Sequence, residues 1–245
     1  MKAIILAAGY ATRLYPLTLN TPKCLLSVSG RTILDRLFEK LRALSDLDEV
    51  IIVTNAKFYG QLEDWKKSGR FPFSLKILND GTLSNDTRLG AIGDLDFVLK
   101  NLHIQDDILM LASDNLFESN LNGFVDFSRS KKDKVCVALY DIKDTALAAN
   151  KFGVLEVDGA GEVKGIEEKP EKPRSSLIGM GVYYFPKQSL GFISEYLKDP
   201  NAKDAPGHYV RWLLGRAGIF GFLFSGLWYD IGDLKALEEA NKIFP

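Results

Sequence analysis

Two cations follow an apolar strand and a loop of small residues near the start of the chain. Residues 3–6 are apolar enough to form one buried strand, and the small residues 7–9 follow directly. Such side chains leave the backbone uncovered, so that its amides can approach a base or a phosphate closely. Arg13 supplies a planar fork of donors and Lys23 a compact point charge, so the two can share a triphosphate. The segment suggests a nucleoside triphosphate site, although it also suits an ordinary strand-to-helix turn with two surface cations.

A carboxylate follows another apolar run near the middle of the chain. Asp114 comes directly after residues 108–113, of which the first five are apolar. Because open parallel sheets bind their ligands at the carboxyl ends of their strands, this position suits a magnesium ligand. It also suits an aspartate that caps a helix or closes a turn, so the residue type alone leaves both roles open.

The first half of the chain must supply the elements that position these residues. Strand-like runs at 3–6, 50–53, 75–78 and 108–111 are separated by helical patterns. This alternation predicts a parallel sheet with crossover helices. One helix would bury the stripe Ile33, Leu37, Leu41 and Leu44, and a second, after Thr87, would bury Leu89, Ile92, Leu99 and Leu102.

The character of the sequence changes after residue 134. Strand patterns at 135–140, 153–157, 163–167 and 178–184 include a turn at 158–161, which indicates mixed or antiparallel sheet added to the first layer. Helical patterns return at 188–197, 208–216 and 234–243, with a strand at 219–224. No linker rich in Gly, Pro or Ser separates the halves, so we predict one domain over residues 1–245.

Composition excludes several classes of function. The formal net charge is −1 with mixed signs along the chain, so we expect no nucleic-acid partner and no binding to a membrane. No leader-like start is seen, and we expect a cytoplasmic protein with Cys24 and Cys136 as buried thiols. With His103 and His208 the only histidines, a metal would be a hard cation held by carboxylates.

Four motifs in order resemble those of the sugar-phosphate nucleotidyltransferases. The first, Leu-Ala-Ala-Gly-x-x-x-Arg-Leu-x-Pro-Leu-Thr followed by Pro-Lys, occupies residues 6–23. Residues 112–115 resemble the Gly-Asp-Asn metal motif of that family, with Ser113 in place of glycine, and residues 165–170 resemble its Glu-Lys-Pro segment. Residues 227–233 resemble its Trp-x-Asp-x-Gly sequence, in which Asp233 suits a helix N-cap. Ala11 replaces a frequent glycine, so we expect it to adopt a conformation open to a side chain.

The resemblance implies a fold, a reaction and a set of roles. The fold would be α/β and Rossmann-like, a mostly parallel mixed sheet flanked by helices with an added antiparallel substrate-binding region. Residues 1–134 would bind the nucleotide and residues 135–245 the acceptor. The reaction would join a nucleoside triphosphate to a sugar 1-phosphate by Mg²⁺-dependent in-line attack on the α-phosphorus, with release of pyrophosphate. Arg13 would hold the β- and γ-phosphates, Lys23 the α-phosphate, and Asp114 with Asp230 the Mg²⁺.

The resemblance also implies binding residues for both substrates. The nucleotide would lie against Leu6, Ala7, Ala8 and Gly9. Glu168 would bind sugar hydroxyls and Lys169 the acceptor phosphate, with the backbone of Gly153 and Gly179 near the sugar unless each marks a strand bulge. Residues 79–90 depart from the family pattern. There Asn85 and Thr87 can hydrogen-bond a base or ribose and Arg88 a phosphate, or the segment is a polar loop that ends in a helix cap; the base is not predicted.

Other functions stay open at this point. One is a cytidylyltransferase that acts on an alcohol phosphate such as phosphocholine or inositol phosphate, and another is a non-catalytic nucleotide-binding homologue. A glycosyltransferase is disfavoured because no Asp-x-Asp motif surrounds Asp114. The length leaves no room for a large C-terminal β-helix, so we expect no fused acetyltransferase. The sequence also leaves the oligomeric state open, a homo-oligomer included.

Overall fold

A mixed β-sheet forms the centre of the fold, and helices pack on both of its faces. The structure is a computed structural model that describes residues 1–202 and 204–244. The strands are β1 Lys2–Leu6, β2 Ser27–Val28, β3 Arg31–Thr32, β4 Glu49–Thr54, β5 Ser74–Asn79, β6 Ile108–Ala112, β7 Asn115–Phe117, β8 Val135–Asp141, β9 Gly153–Val157, β10 Val163–Glu168, β11 Leu177–Phe185, β12 Ile219–Leu223 and β13 Trp228–Asp230. The helices are α1 Ile33–Arg42, α2 Tyr59–Ser68, α3 Ala91–Leu102, α4 Asn122–Ser130, α5 Thr145–Ala148, α6 Gly191–Tyr196, α7 Pro206–Leu213 and α8 Leu234–Ile243.

The first half of the chain forms the parallel part of the sheet. Strand β1 lies between β4 and β6, with Ile4 paired to Ile51 on one side and to Met110 on the other. Strand β5 continues the sheet beyond β4, again in parallel. All residues of β4 are buried, as expected for a strand covered on both faces. The predicted parallel sheet with crossover helices is therefore confirmed.

The second half adds antiparallel strands to the same sheet. Strand β11 runs antiparallel to β6, with Val182 opposite Leu111, and also to β8 and β9. Strand β10 pairs antiparallel with β9, while β12 runs parallel to β8. The expected mixed sheet with an added antiparallel region is confirmed, and strands from both halves share it. The assignment of one domain with two binding sub-regions stays a prediction.

Each face of the sheet has its own apolar cluster. Helices α1, α2 and α4 contribute to one cluster with Leu37, Leu62 and Phe124, and helices α3, α6 and α7 contribute to the other with residues such as Leu95 and Tyr209. The predicted stripe of α1 is buried, and Thr32 caps this helix by accepting the Asp35 N–H. The apolar stripe of α1 therefore faces the core, as the helical periodicity of the sequence predicts.

Helix α3 begins later than its predicted stripe. Leu89 lies before the helix and is 44% exposed, so its prediction as an inward residue was wrong. Gly90 precedes the helix with φ of +80°, a conformation that favours glycine and turns the chain between Leu89 and Ala91. Ile92 is buried as predicted, and the predicted Leu99 and Leu102 are partly buried against the same apolar cluster. Leu95 and Val98 are further buried apolar residues of the helix.

A third apolar cluster joins the two ends of the chain. Leu14 and Leu26 from the N-terminal loops pack with Ile231 and with Leu237 and Ala240 of α8. The predicted N-cap at the start of α8 is confirmed, because the Asp233 carboxylate accepts the Ala236 N–H at 2.8 Å. This packing holds the segment near residue 230 against the N-terminal loops that follow β1.

Both cysteines are buried and free, as predicted. Within residues 1–202 and 204–244, none of the helices combines the length and the apolar character needed to cross a bilayer.

Candidate active site

A cleft of about 540 Å³ opens at the carboxyl ends of β1 and β6. Its walls include residues 6–13 from the loop after β1 and residues 112–114 after β6. Open parallel sheets bind ligands at this edge, and the volume suits a small molecule. Of the predicted site residues, the cleft wall contains Leu6, Ala7, Ala8, Gly9, Arg13, Lys23, Asn85 and Asp114.

Two side chains hold the loop after β1 by donating hydrogen bonds to its carbonyl groups. Thr54 Oγ1 donates to the Ala7 carbonyl at 3.2 Å, and Asn55 Nδ2 donates to the Ala8 carbonyl at 2.8 Å. A Cβ built at Gly9 would meet no heavy atom within 4 Å, so this position faces open space. The side of the loop that faces the cleft therefore keeps an uncovered backbone, as the small residues predicted.

The backbone conformation of Ala11 differs from the one predicted. Its φ and ψ are both 46°, the left-handed conformation that favours glycine, so the prediction of a conformation suited to a side chain was wrong. Thr18 Oγ1 donates to the Ala11 carbonyl at 2.8 Å, and the Leu14 N–H donates to the same oxygen at 3.0 Å. These two bonds hold the residue in its left-handed conformation and set the turn that presents Arg13 to the cleft.

An ion pair in the wall of the cleft joins Lys23 to Asp114. Lys23 begins a short 3-10 turn, and its Nζ lies 2.7 Å from Asp114 Oδ2. The two side chains are 14% and 29% exposed, so the pair is largely shielded from water and still open to the cleft. Arg13 lies on the surface of the same cleft. Both predicted cations therefore lie at the cleft.

A two-stranded ribbon brings the two predicted metal carboxylates together. In the pairing of β7 with β13, Asp230 lies opposite Asn115, and the Ile231 N–H donates to the Asp114 carbonyl at 3.0 Å. Asn115 Nδ2 donates to Asp114 Oδ1 at 3.1 Å, while Trp228 Nε1 donates to Asn115 Oδ1 at 3.0 Å. The tryptophan thus fixes the asparagine, which in turn orients the carboxylate.

The electrostatics of Asp230 connect five predicted residues. Burial raises the pKa of its carboxyl, and the negative charge of Asp114 raises the pKa further. The positive charges of Lys23, Arg13 and Lys169 oppose this pKa rise. Asp114 and the three cations, which come from distant parts of the sequence, therefore all act electrostatically on the carboxyl of Asp230.

The donor set at this point suits one kind of metal. Asp114 and Asp230 are two carboxylates whose like charges a divalent cation would relieve. In the part of the chain that the structure describes, no group of three or more His, Cys, Asp or Glu side chains could hold a metal. Two carboxylates fit Mg²⁺, which keeps waters and takes phosphate oxygens as further ligands.

The predicted acceptor residues gather beside the cleft. Glu168 lies opposite Gly153 in the pairing of β10 with β9. Its Oε2 would lie only 3.0 Å from a Cβ at Gly153 and would clash with one at Gly207. The two glycines thus make the room that Glu168 occupies. Burial raises the pKa of Glu168, and the positive charge of Lys169 opposes this rise.

Tyr183 connects this group to the cleft. It is one of the cleft-lining residues, its pKa is raised by burial and then by the charge of Glu168, and its hydroxyl would lie 3.9 Å from a Cβ at Gly179. Among the residues that the structure describes, Gly153, Glu168, Lys169 and Gly179 do not themselves line the cleft. The register of β11 against β8 shifts between Gly179 and Tyr183, so Gly179 also borders a strand irregularity.

The segment predicted to meet the base is divided between two roles. Asn85 lines the cleft, whereas Thr87 belongs to the capping box of a 3-10 turn, in which its Oγ1 donates to the Ser84 carbonyl at 3.2 Å. Arg88 lines the cleft but pairs with Asp204 at 3.1 Å, which occupies its guanidinium. Asp204 also accepts the Ala91 N–H at 2.8 Å and so closes the start of α3.

Sequence reasoning missed several residues of the cleft. Gly181 has φ of +72°, and a Cβ there would lie 2.9 Å from the Cβ of Ala112 and 3.0 Å from Asn115 Nδ2. The repeated glycines at 179 and 181 were the available signal, and only the first was chosen. Asp94 also lines the cleft, and its signal was an acidic residue inside the apolar stripe of α3.

Comparison with known proteins identifies the family of this chain. Residues 2–244 match the family described as Nucleotidyl transferase. The chain is 28% identical over 242 residues to the Bifunctional protein GlmU of Methanocaldococcus jannaschii, covering 99% of this chain and 54% of the relative. It is 28% identical over 232 residues to a Putative mannose-1-phosphate guanyltransferase of Sulfolobus acidocaldarius, covering 95% of this chain and 60% of the relative. The chain thus spans little more than half the length of these relatives.

A solved structure shows the same fold. It is a putative glucose-1-phosphate thymidylyltransferase from Bacillus anthracis, crystallised in complex with sucrose, with a TM-score of 0.82 and 26% identity. The superposition covers 99% of this chain and 94% of the other. The expected Rossmann-like nucleotidyltransferase fold is therefore confirmed. Because the family match extends over residues 2–244, this chain belongs to the nucleotidyl transferase family.

Proposed function

We propose that this chain joins a nucleoside triphosphate to a sugar 1-phosphate, giving a nucleoside-diphosphate sugar and pyrophosphate. The observation that carries the proposal is the convergence of Arg13, Lys23 and Lys169 on the pair Asp114 and Asp230. Three cations around two carboxylates match a reaction in which phosphate charge is gathered, transferred and released. No side-chain nucleophile is needed, because positioning and charge stabilisation supply most of the catalysis in such transfers.

The bond changes follow from the proposed roles. A phosphate oxygen of the acceptor, held by Lys169, forms a bond to the α-phosphorus while the bond from that phosphorus to the bridging β-oxygen breaks. Lys23 stabilises charge on the α-phosphate, and Arg13 stabilises the departing pyrophosphate. Asp114 and Asp230 would hold Mg²⁺, which when bound neutralises charge on the triphosphate and on the leaving group.

Glu168 has the surroundings expected of a residue that binds the acceptor. Its carboxylate lies in the space left by Gly153 and Gly207, next to Lys169 Nζ at 4.0 Å. A carboxylate accepts hydrogen bonds from neighbouring hydroxyls, so we assign it to the sugar ring, with the backbone near Gly153 and Gly179 at the edge of that ring. Asn85 and the backbone of residues 6–9 are assigned to the nucleotide, and Thr87 to the turn that supports Asn85.

The remaining parts of the proposal concern partners and location. We assign the nucleoside triphosphate and the sugar 1-phosphate as partners and place the reaction in the cytoplasm, where two free buried thiols stay reduced. The net charge of −1 supports neither a nucleic-acid nor a membrane partner. Sedimentation analysis distinguishes a monomer from a homo-oligomer.

A screen of pyrophosphate release tests the proposal. GTP, UTP, dTTP, ATP and CTP are each incubated with Mg²⁺ and with a panel of sugar 1-phosphates and alcohol phosphates. Release that requires a sugar 1-phosphate is the expected result. Release only with CTP and phosphocholine or inositol phosphate would instead identify a cytidylyltransferase. Nucleotide binding without release across the panel would contradict enzymatic activity and indicate a non-catalytic homologue.

A further inference from the structure

The backbone of Lys169, the residue assigned to the acceptor phosphate, has a conformation that most side chains avoid. Its φ is +49°, in the left-handed region that favours glycine. A residue keeps such a conformation only where its surroundings hold it, and such residues concentrate at functional sites. Because the Lys169 side chain is 53% exposed, burial does not hold it in place. The contacts of the backbone on either side of the lysine therefore decide its position.

Two backbone hydrogen bonds join Lys169 and Pro170 to the segment that leads into β9. The Lys169 N–H donates to the Phe152 carbonyl at 3.1 Å, and the Asn150 N–H donates to the Pro170 carbonyl at 2.9 Å. Asn150 is itself left-handed, with φ of +58°, a conformation that asparagine adopts more readily than most residues. The position of Lys169 therefore depends on where residues 150–152 lie.

The ring of Phe152 anchors this segment beside the two carboxylates assigned to the metal. It packs edge-on against the indole of Trp228, with 5.3 Å between the ring centroids and 71° between the ring planes. Trp228 is buried and donates to Asn115, which orients Asp114. Asp230 follows Trp228 by two positions in β13, so both side chains lie on one face of that strand. Phe152 thus contacts the acceptor lysine through its carbonyl and the support of the metal site through its ring.

The placement of Lys169 relative to these carboxylates matters for the proposed reaction. Burial and then the charge of Asp114 raise the pKa of Asp230, and the positive charge of Lys169 is among those that oppose the rise. In-line transfer requires the acceptor phosphate and the metal-bound triphosphate to be aligned, and a misplacement of about 1 Å can cost about a hundredfold in rate. A contact that fixes the lysine relative to the metal site therefore affects the rate.

The indole of Trp228 has a second aromatic partner. Tyr140 of β8 packs against it with 5.4 Å between the ring centroids. Loss of the Phe152 ring would therefore leave Trp228 in contact with Tyr140 and hydrogen-bonded to Asn115. The loss would act on residues 150–152 and on Lys169, and it would spare the metal carboxylates.

We propose that Phe152 is a positioning residue that aligns the acceptor phosphate with the metal site, because its carbonyl holds Lys169 while its ring rests on Trp228. The inference rests on the proposed function and adds a residue that sets the geometry of the reaction. In the part of the chain that the structure describes, Phe152 is not among the residues that line the cleft. It therefore acts through Lys169 and not on a substrate directly.

The test replaces the ring and keeps the carbonyl. Phe152→Leu retains the backbone acceptor and an apolar side chain but loses the edge contact with Trp228. We expect kcat/KM for the sugar 1-phosphate to fall by about tenfold or more. KM for the nucleoside triphosphate and the apparent Mg²⁺ affinity should change by less than about twofold, because the support of Asp114 persists. Phe152→Tyr retains the ring and should retain kcat/KM.

A double-mutant cycle separates positioning from a merely structural role. Phe152→Leu is introduced into the unmodified chain and into the Lys169→Ala variant. If Phe152 acts through Lys169, the second substitution should change kcat/KM by less than about twofold once the lysine is absent. The proposal is overturned if the two effects multiply independently, or if Phe152→Leu alone leaves kcat/KM unchanged.

Phe192→Leu is the matched control. Phe192 packs edge-on against Trp212 in the apolar cluster of the opposite sheet face, with 6.4 Å between the ring centroids. Neither residue is among those that line the cleft in the described chain, so this variant loses the same kind of ring contact and should keep kcat/KM unchanged. If Phe152→Leu fails to fold by circular dichroism, Phe152→Met takes its place in the cycle with the same expected outcomes.

Calorimetric binding separates this inference from the proposed function. Each sugar 1-phosphate of the panel is titrated with Mg²⁺ into the unmodified chain, Phe152→Leu and Lys169→Ala. A loss of binding common to both variants, in a chain that releases no pyrophosphate, supports the inference and contradicts the proposed reaction. Normal pyrophosphate release by Phe152→Leu supports the reaction and overturns the inference. Absence of binding by every sugar 1-phosphate contradicts both.

Discussion

Lys23 Nζ and Asp114 Oδ2 lie 2.7 Å apart, although 91 positions separate the two residues in the sequence. Each belongs to a different loop at the carboxyl edge of the sheet, and each is assigned to a different partner, phosphate for the lysine and metal for the aspartate. The ion pair keeps both charges in place before either partner binds. Arrival of a metal-bound triphosphate would exchange this pair for contacts to the ligand.

Removal of either charge should abolish most of the activity. We expect Lys23→Ala and Asp114→Ala each to lower kcat by at least about a hundredfold, because each removes a charge that stabilises the transferring phosphate. Pyrophosphate release measures the loss, and circular dichroism checks that the fold persists. Lys67→Ala, which removes an exposed lysine paired with Asp64, is the control. Near-normal turnover of either cleft variant would refute the assigned roles.

The support of Asp114 should matter nearly as much as the carboxylate itself. Asn115→Ala removes the donor to Asp114 Oδ1 and leaves the Trp228 indole N–H unpaired. We expect the apparent Mg²⁺ affinity in the assay to fall by about 10- to 100-fold, as for other side chains that orient metal ligands. Saturating Mg²⁺ should restore part of kcat in this variant but not in Asp114→Ala. An unchanged Mg²⁺ dependence would show that Asn115 does not orient the metal carboxylate.

Ala11 should gain stability when replaced by glycine. A left-handed residue with a Cβ costs about 1–2 kcal/mol, and the added freedom of glycine in the unfolded chain offsets about 0.4–1 kcal/mol of that gain. Ala11→Gly should therefore raise the free energy of unfolding by about 0.5–1 kcal/mol in urea titrations. Ala236→Gly, within helix α8, should instead lower it by about 1 kcal/mol. Equal losses in both variants would contradict the strain assigned to Ala11.

Stability should depend on pH through Asp94. Its folded pKa of about 8 lies above the ordinary value of 3.8, so between these values the folded chain holds a proton that the unfolded chain has released. The contribution of this group to stability is therefore largest at acid pH and is lost as the pH rises toward 8, by about 1.4 kcal/mol per pH unit at most. Asp94→Asn cannot titrate, so its stability relative to the unmodified chain should rise from pH 5 to pH 8. Denaturation curves at four pH values measure this difference, and a constant difference would exclude the raised pKa.

The sequence predicted the parts of the site that depend on short segments. The loop at residues 6–9, Arg13 and Lys23 lie on one continuous stretch, and hydrophobic periodicity located the strands and helices that support it. Asp230 was predicted only by resemblance, because its approach to Asp114 depends on the ribbon of β7 and β13, which neither segment specifies alone. The expectation for the backbone of Ala11 was wrong because two hydrogen bonds to its carbonyl outweigh the preference of alanine for conformations other than the left-handed one. Asp94 was missed because helical periodicity assigns residues to faces and says nothing of a cleft at the helix start.

The hydrogen bond from Trp228 to Asn115 has an optical consequence. The chain has three tryptophans, and Trp65 and Trp212 lie on helices α2 and α7, each packed against other aromatic rings. The indole of Trp228 is joined through one amide to the carboxylate assigned to the metal. We therefore expect its fluorescence to respond to the charge on Asp114, without label, substrate or turnover, once the other two tryptophans are replaced by phenylalanine.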